Sequence, residues 1–229
     1  MIPPLILLFL LGALQGFIGW IMVKSGLVPE RFYVGHIELT THLIAALILL
    51  GFTQWFALSL FPSFRKKIHD SGLKNLFIFI FVLFLFQLVF VGFMAGLKAA
   101  QTAPTWPDIN GEMIPAAMNE LSPWSQNLLN NKLTIHFIHR GLAYVLLMAV
   151  IAFYIRSKRY IRNNMFKKLR ILFLLLIMLQ VLLGILTVMN ATISERFIWF
   201  GVAHQFIAML LVMNLVSLLY MLRSGRMEP

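Results

Sequence analysis

Stretches without Asp, Glu, Lys or Arg run over residues 1–23, 39–64, 75–97, 141–155, 171–194 and 197–222. About 20 apolar residues in an α-helix cross a hydrocarbon core about 30 Å thick, so five of these runs span a bilayer alone. The short fourth run reaches that length once extended back through Arg140 to Leu133. The pattern predicts six transmembrane helices in an all-α integral membrane protein.

The connectors alternate in charge. Residues 61–74 carry Arg65, Lys66, Lys67 and Lys74, residues 156–170 carry seven basic residues, and the C-terminal tail adds Arg223 and Arg226. Thirteen of the nineteen Lys and Arg thus fall on one side, while the six others, counting Arg140, lie on or near the opposite one. Basic loops stay in the cytoplasm, which predicts that both termini are cytoplasmic. The first run has no basic residue before it to hold the N-terminus inside. It also lacks the basic start and the cleavage site of a signal peptide, and we read it as a sign that something upstream is absent.

Composition agrees with the spans. Of 229 residues 60% are apolar and 12% charged, with mean hydropathy +0.87, far from the roughly one half and one quarter of a soluble domain. The absence of cysteine removes disulfides, thiolate zinc, iron–sulfur clusters and a Cys nucleophile. A net charge of +11 would suggest nucleic acid in a soluble chain. Here topology and anionic headgroups explain it, so the expected partner is the lipid bilayer and no nucleic acid is expected.

On the opposite side the longest loop covers residues 98–132, with Pro104, Pro107, Pro115, Pro123, Trp106 and Trp124. Such length in a connector points to function, and its Trp and Pro content predicts an ordered cap at the interface. The first and fifth spans share a frame, Leu14-Gln15-x-x-x-Gly19 and Leu179-Gln180-x-x-x-Gly184, each followed by a helix bearing a histidine, His42 and His204. The first two spans therefore read as a second copy of the last two. If the unit is four helices, spans three to six form one complete copy and spans one and two form half of another.

Three histidines, His42, His139 and His204, fall within spans about 10 Å below the outer surface. An intramembrane imidazole serves either as a packing hydrogen-bond partner or as a ligand. Three at one depth favour a shared ligand plane. Facing imidazoles bind a haem iron from both sides, a coordination suited to electron transfer, and His139 with His204 offers such a pair. Zinc lacks the further His, Cys or acidic ligands. His136 is the second choice, nearer the surface, and His36 and His69 are expected in solvent. Arg140, a basic residue inside a span, is read as a partner for a haem propionate or as snorkelling outward. Glu38, one turn before His42 on the same helix face, serves either as an acid or base or as a complement to its helix dipole, the commoner role of an acid in a first turn, and Asp108, Glu112 and Glu120 are read as solvated. No phosphate loop, Ser-His-Asp order or paired intramembrane carboxylate is found.

Five strings in order resemble haem A synthases: Leu14-Gln15-Gly16-Phe17-Ile18-Gly19-Trp20 onward, Thr41-His42-Leu43, Gly92-Phe93-Met94-Ala95-Gly96-Leu97-Lys98-Ala99 leading to Thr105-Trp106-Pro107, Phe137-Ile138-His139-Arg140-Gly141-Leu142-Ala143-Tyr144, and His204-Gln205. The resemblance is to the cysteine-free branch. It implies an oxidoreductase that converts haem O to haem A, methyl to formyl, for cytochrome oxidase biogenesis. It further implies a permanent haem b on His139 and His204 within residues 75–226, a substrate haem O at His42 within residues 1–64, and a basic cytoplasmic loop at 65–74. Haem iron would be the metal, and the catalytic acid is unassigned.

Implied partners are a membrane electron acceptor or quinone and haem O synthase, and either the chain is a truncated or mis-started product or a second polypeptide supplies two helices that relatives carry upstream. Those helices bear an outer-loop glutamate and a second substrate-site histidine that have no counterpart here. The expected location is a bacterial cytoplasmic membrane. The alternative is a non-enzymatic bis-His b-type cytochrome, acting as an electron relay or as an oxidase-assembly subunit.

Overall fold

A computed structural model of the chain describes residues 2–29, 33–64 and 67–223. Arg31, Arg65, Lys66 and Arg226, counted above in the charge balance, lie outside the described residues. The helices are α1 (Ile2–Ser25), α2 (His36–Leu60), α3 (Ser71–Gly96), the short α4 (Gln126–Asn130), α5 (Lys132–Arg156), α6 (Asn164–Met189) and α7 (Ser194–Leu222). Apart from α4, each is long and apolar enough to cross a membrane, giving the six expected spans. Among the described residues there is no strand, only an isolated bridge between Ile109 and Glu112. Lipid offers no hydrogen bonds, so an uninterrupted apolar run must satisfy its backbone internally, and the helix is the form that does so.

Helix starts are marked by side-chain caps. Asp70 accepts from the Leu73 N–H, Asn131 from those of Leu133 and Thr134, and Asn163 from that of Phe166. Each satisfies donors that the first turn leaves unpaired. Helix α3 packs on α5, α5 on α6 and α6 on α7, while α2 lies against both α3 and α7 and α1 packs on α2. Helices α3, α5, α6 and α7 thus form a bundle, and α2 spans its α3–α7 side.

The bundle core is unevenly filled. Phe77, Phe153 and Phe173 interlock with ring centroids 5.5 to 6.3 Å apart, and Phe166 adjoins Phe153 at 6.4 Å. All four are fully buried near the end that carries the basic connectors. At that end the Ile68 N–H donates to the Met221 carbonyl at 3.0 Å, and Lys67 Nζ donates to the carbonyls of Phe64 and Tyr220 at 2.9 and 3.0 Å. Asp70 pairs with Arg159 and accepts from the Tyr160 hydroxyl at 3.0 Å. The α2–α3 connector, the α5–α6 turn and the end of α7 therefore meet, as charge alternation predicts.

Asp70 titrates below the ordinary carboxylate range, first because the Leu73 N–H bonds its charged form, with Tyr160, Arg159 and Arg156 adding to this against the effect of burial. Its contribution is complete above the unfolded value of about 3.9 and is lost as pH falls through the lower folded value. Asp70→Ala is expected to cost about 0.5–2 kcal/mol. Thermal unfolding in detergent should show Asp70→Asn keeping most of that cap while losing the acid-side dependence.

The outer loop is ordered, as its composition suggests. Short turns at Ala99–Gln101 and Ala116–Asn119 precede α4. Buried Asn127 bonds both the N–H and the carbonyl of Leu121, at 3.1 and 2.9 Å. Asn131 and Thr134 tie the loop to the top of α5 by donating to the carbonyls of Ala117 and Met118 at 2.8 and 2.7 Å. The Asn110-Gly111 turn takes φ values of 54° and 90°, a left-handed backbone that these two residue types tolerate.

Candidate functional site

Each of the three intramembrane histidines is held by a glutamine from a neighbouring helix. Gln15 Nε2 of α1 lies 3.2 Å from His42 Nδ1 and 3.4 Å from Nε2, and donates to the His42 carbonyl at 3.2 Å. On α3, Gln87 Nε2 lies 3.1 Å from His139 Nδ1 and donates to the His139 carbonyl at 3.1 Å. On α6, Gln180 Nε2 lies 3.1 Å from His204 Nε2. The fold thus repeats one two-helix unit in α1–α2, α3–α5 and α6–α7, a glutamine on the first helix and a histidine on the second.

This arrangement explains the Leu-Gln-x-x-x-Gly frame. Residues i and i+4 share a helix face, so the glycine sits one turn beyond the glutamine, against the same ring. A Cβ on Gly19 would come within 2.9 Å of His42 Cε1, and one on Gly184 within 3.1 Å of His204 Cε1. The glutamine grips the imidazole and the glycine makes room for it. In the third unit Val91 stands where the glycine would be, and Gly92 serves another purpose. A Cβ there would approach Thr40 Cα at 2.8 Å, so this glycine sets the closeness of α2 to α3.

His139 and His204 lie within electrostatic reach of each other, while His42 belongs to the separate α1–α2 pair. Along their own helices the three sit about 9, 10 and 15 Å from the first residue of α2, α5 and α7, at ~1.5 Å per residue. The third value exceeds the expected depth because α7 begins at Ser194 rather than at residue 197. His136 is fully buried, with Nε2 accepting from Arg140 Nε at 3.0 Å. His36 departs from expectation. Rather than lying in solvent it opens α2 half-buried, edge-on to Phe93 at 5.5 Å, with its Nε2 buried and unpartnered. His69 is exposed, and Glu38 is half-buried in the first turn of α2. Among the described residues no three His, Asp or Glu side chains converge on a bare-ion site.

Arg140 is turned to the loop. Its Nη1 donates to the Asp108 carbonyl at 2.7 Å and its Nη2 to those of Thr105 at 2.6 Å and Ala103 at 3.5 Å. Trp106 Nε1 donates to the Tyr144 hydroxyl one turn further along α5, at 2.9 Å. The residue next to His139 therefore fastens the outer cap over the bundle. Asp108 is half-buried and Glu112 and Glu120 are exposed. The Asp108 carboxyl is held below its usual range, first by the Thr105 hydroxyl and then by the Gly111 N–H, with Arg140 a smaller influence.

Around His139 and His204, helices α5, α6 and α7 bury fewer side chains than they do at the basic end. No residue is fully buried over 137–145 of α5, 178–187 of α6 or 194–210 of α7, whereas all three helices bury large side chains nearer the basic end. The oxygens of Gln15, Gln87 and Gln180, and Nδ1 of His204, are buried with no hydrogen-bond partner. Two imidazoles on helices of one bundle, a glycine that clears one of them and spare acceptors beside their rings fit a haem held through its iron by His139 and His204.

The family model for cytochrome oxidase assembly proteins matches residues 1–216. A haem A synthase of Nitrosospira multiformis is 36% identical over 185 residues, covering 80% of this chain and 52% of that protein. One from Wolbachia pipientis is 33% identical over 222 residues, covering 96% and 60%, and one from Flavobacterium johnsoniae is 30% identical, covering 96% and 64%. The chain thus spans between about half and two thirds of the length of these relatives. No solved structure matches it significantly. With its motifs in order on six spans, this multi-pass membrane protein belongs to the cytochrome oxidase assembly protein family, the haem A synthase family that its sequence resembles.

Proposed function

We propose that the chain acts in converting haem O to haem A, with a resident haem b held by His139 and His204 and the substrate haem at His42. The observation that carries this reading is the two imidazoles of one bundle, each on a glutamine of a neighbouring helix, with Gly184 clearing the His204 ring. Bis-imidazole coordination leaves no open position, so this haem would relay electrons rather than bind oxygen. The α1–α2 pair repeats the Gln, Gly and His of the α6–α7 socket at its own, separate place. A second haem at His42 accounts for that repetition.

Oxidising a methyl to a formyl group with oxygen from water releases four electrons and four protons, and haem iron supplies the redox chemistry when bound. The chain's own residues do the rest. His42, braced by Gln15 and cleared by Gly19, fixes one tetrapyrrole on the α1–α2 pair. His139 and His204 would hold the other inside the bundle. Arg140 ties residues 103–108 over the outer mouth. Because its guanidinium already serves three carbonyls and His136, a propionate contact would share it. The electrons then leave to a membrane acceptor or quinone. The basic end faces the cytoplasm of a bacterial membrane, by the bias of its connectors.

The test is expression in cells that make haem O, followed by acid extraction and chromatography of the haem that copurifies. The reading expects haem b together with haem O or haem A. Haem b alone, whatever the haem O supply, would contradict the substrate site and favour a non-enzymatic b-type relay.

A further inference from the structure

The glutamines are the polar groups that neither the spans nor the ligands explain. Each places its amide on an imidazole from a partner helix, in an apolar setting where an unpaired polar group is costly. The Gln87 amide has a defined orientation. Its Nε2 donates to the His139 carbonyl, which only accepts, and the same nitrogen faces Nδ1 of the ring. The ring nitrogen it meets therefore accepts, which leaves the proton of the neutral imidazole on Nε2. Coordination through Nε2 requires the reverse, with the proton on Nδ1 and an acceptor beside it. The Gln87 Oε1, buried and unpartnered, is the acceptor within reach. At the second ligand the conflict is sharper. Gln180 covers Nε2 of His204, while Nδ1 is buried without a partner.

We propose that Gln87 and Gln180 are positioning residues for the two axial imidazoles, with the side-chain oxygen as the acceptor for the ring proton. With iron on Nε2, Oε1 accepts the Nδ1 proton, which at Gln180 requires the His204 ring to be turned about as well, and this bond fixes the ring plane and makes the imidazole a stronger donor to iron. This inference rests on the reading of His139 and His204 as ligands. Gln54 provides an internal comparison. It is a buried-side glutamine of the same kind, donating from α2 to the Met213 carbonyl at 2.7 Å and to the Ser217 hydroxyl at 2.8 Å on α7, with no histidine involved.

The experiment is a redox titration and low-temperature EPR of the purified, haem-loaded full chain in four variants. Removing the acceptor from a coordinated imidazole weakens its donation and destabilises the ferric form. Gln87→Leu and Gln180→Leu are therefore expected to shift the b-haem midpoint upward and to broaden or displace the low-spin signal. Gln87→Met keeps nearly the length of the native side chain and should give the same upward shift where the shorter leucine fails to fold. Gln54→Leu should leave potential and signal at the wild-type values. Loss of haem confined to the Gln87 and Gln180 variants of a folded chain is a stronger form of the same result. Haem-loaded Gln87 and Gln180 variants with wild-type potential and wild-type EPR would overturn the proposal. Wild-type chain that folds and holds no haem would instead overturn the ligand reading on which it rests.

Discussion

His139→Ala and His204→Ala are each expected to abolish the low-spin b spectrum of the purified chain, and His42→Ala to leave it intact. Removing either axial imidazole leaves the iron five-coordinate or releases the haem. The two rings sit on different helices, α5 and α7, so neither position has a neighbour able to take over. His136 is the nearest candidate on α5, but its Nε2 is committed to Arg140 and it lies a turn closer to the outer end. His42 is set apart on α2 with its own glutamine. Optical spectra of the three variants, normalised to folded protein, check this directly. An unchanged spectrum in His204→Ala would assign the ligand elsewhere, and a spectrum lost in His42→Ala would merge the two sites that the helix pairing separates.

Arg140→Ala is the second large effect. The substitution takes the Arg140 donor from the carbonyls of Ala103, Thr105 and Asp108 and from the Nε2 of His136 in one step, and only the Asp108 carbonyl keeps another side-chain donor, the Thr105 hydroxyl. A buried acceptor left unpaired costs about 1–3 kcal/mol, and Ala103 and His136 are fully buried. The outer loop should become accessible to protease and to hydrogen exchange over residues 103–112, while α5 itself stays protected. Arg140→Lys should fall between, because an ammonium carries the charge without the planar fork that reaches several carbonyls at once. Limited proteolysis with peptide mapping distinguishes two roles for the guanidinium. Loop release accompanies loss of anchoring. Haem loss with an undisturbed loop would mean that the propionate contact, rather than the cap, is its main service.

The spans were legible because a bilayer imposes a simple rule on backbone and length. Five of six helices followed from uncharged runs alone, and α5 was found by extending through Arg140, which its helix indeed includes. The paired glutamine and glycine were visible at Gln15 and Gln180 as a repeat without a stated purpose. The structure supplies the purpose. Gln87 escaped because Val91 interrupts the frame, yet it is the lone polar side chain between Leu76 and Leu97, and a solitary amide in an apolar span is a signal of its own. The partners of Arg140 were hidden for a different reason. They are main-chain carbonyls of a loop more than thirty residues away in sequence, and carbonyls leave no trace in side-chain pattern. Arg170 is a similar case. Counted with a cytoplasmic connector, it lies buried inside α6, bonded to the Ser157 hydroxyl at 2.9 Å and to the Tyr154 carbonyl. His36 looked solvated because the start of α2 lies beside a loop, whereas the approach of α3 through Gly96 covers it. A Cβ on that glycine would meet the His36 Cβ at 2.5 Å.

The most direct test of the account is a reduced-minus-oxidised optical spectrum of the purified wild-type chain, with the haem-to-protein ratio determined after acid extraction. The account predicts the sharp bands of a low-spin b haem and at least one haem b for each folded chain. A folded, helical chain that carries no haem when haem is plentiful would contradict it, and would leave His139 and His204 as residues that only pack.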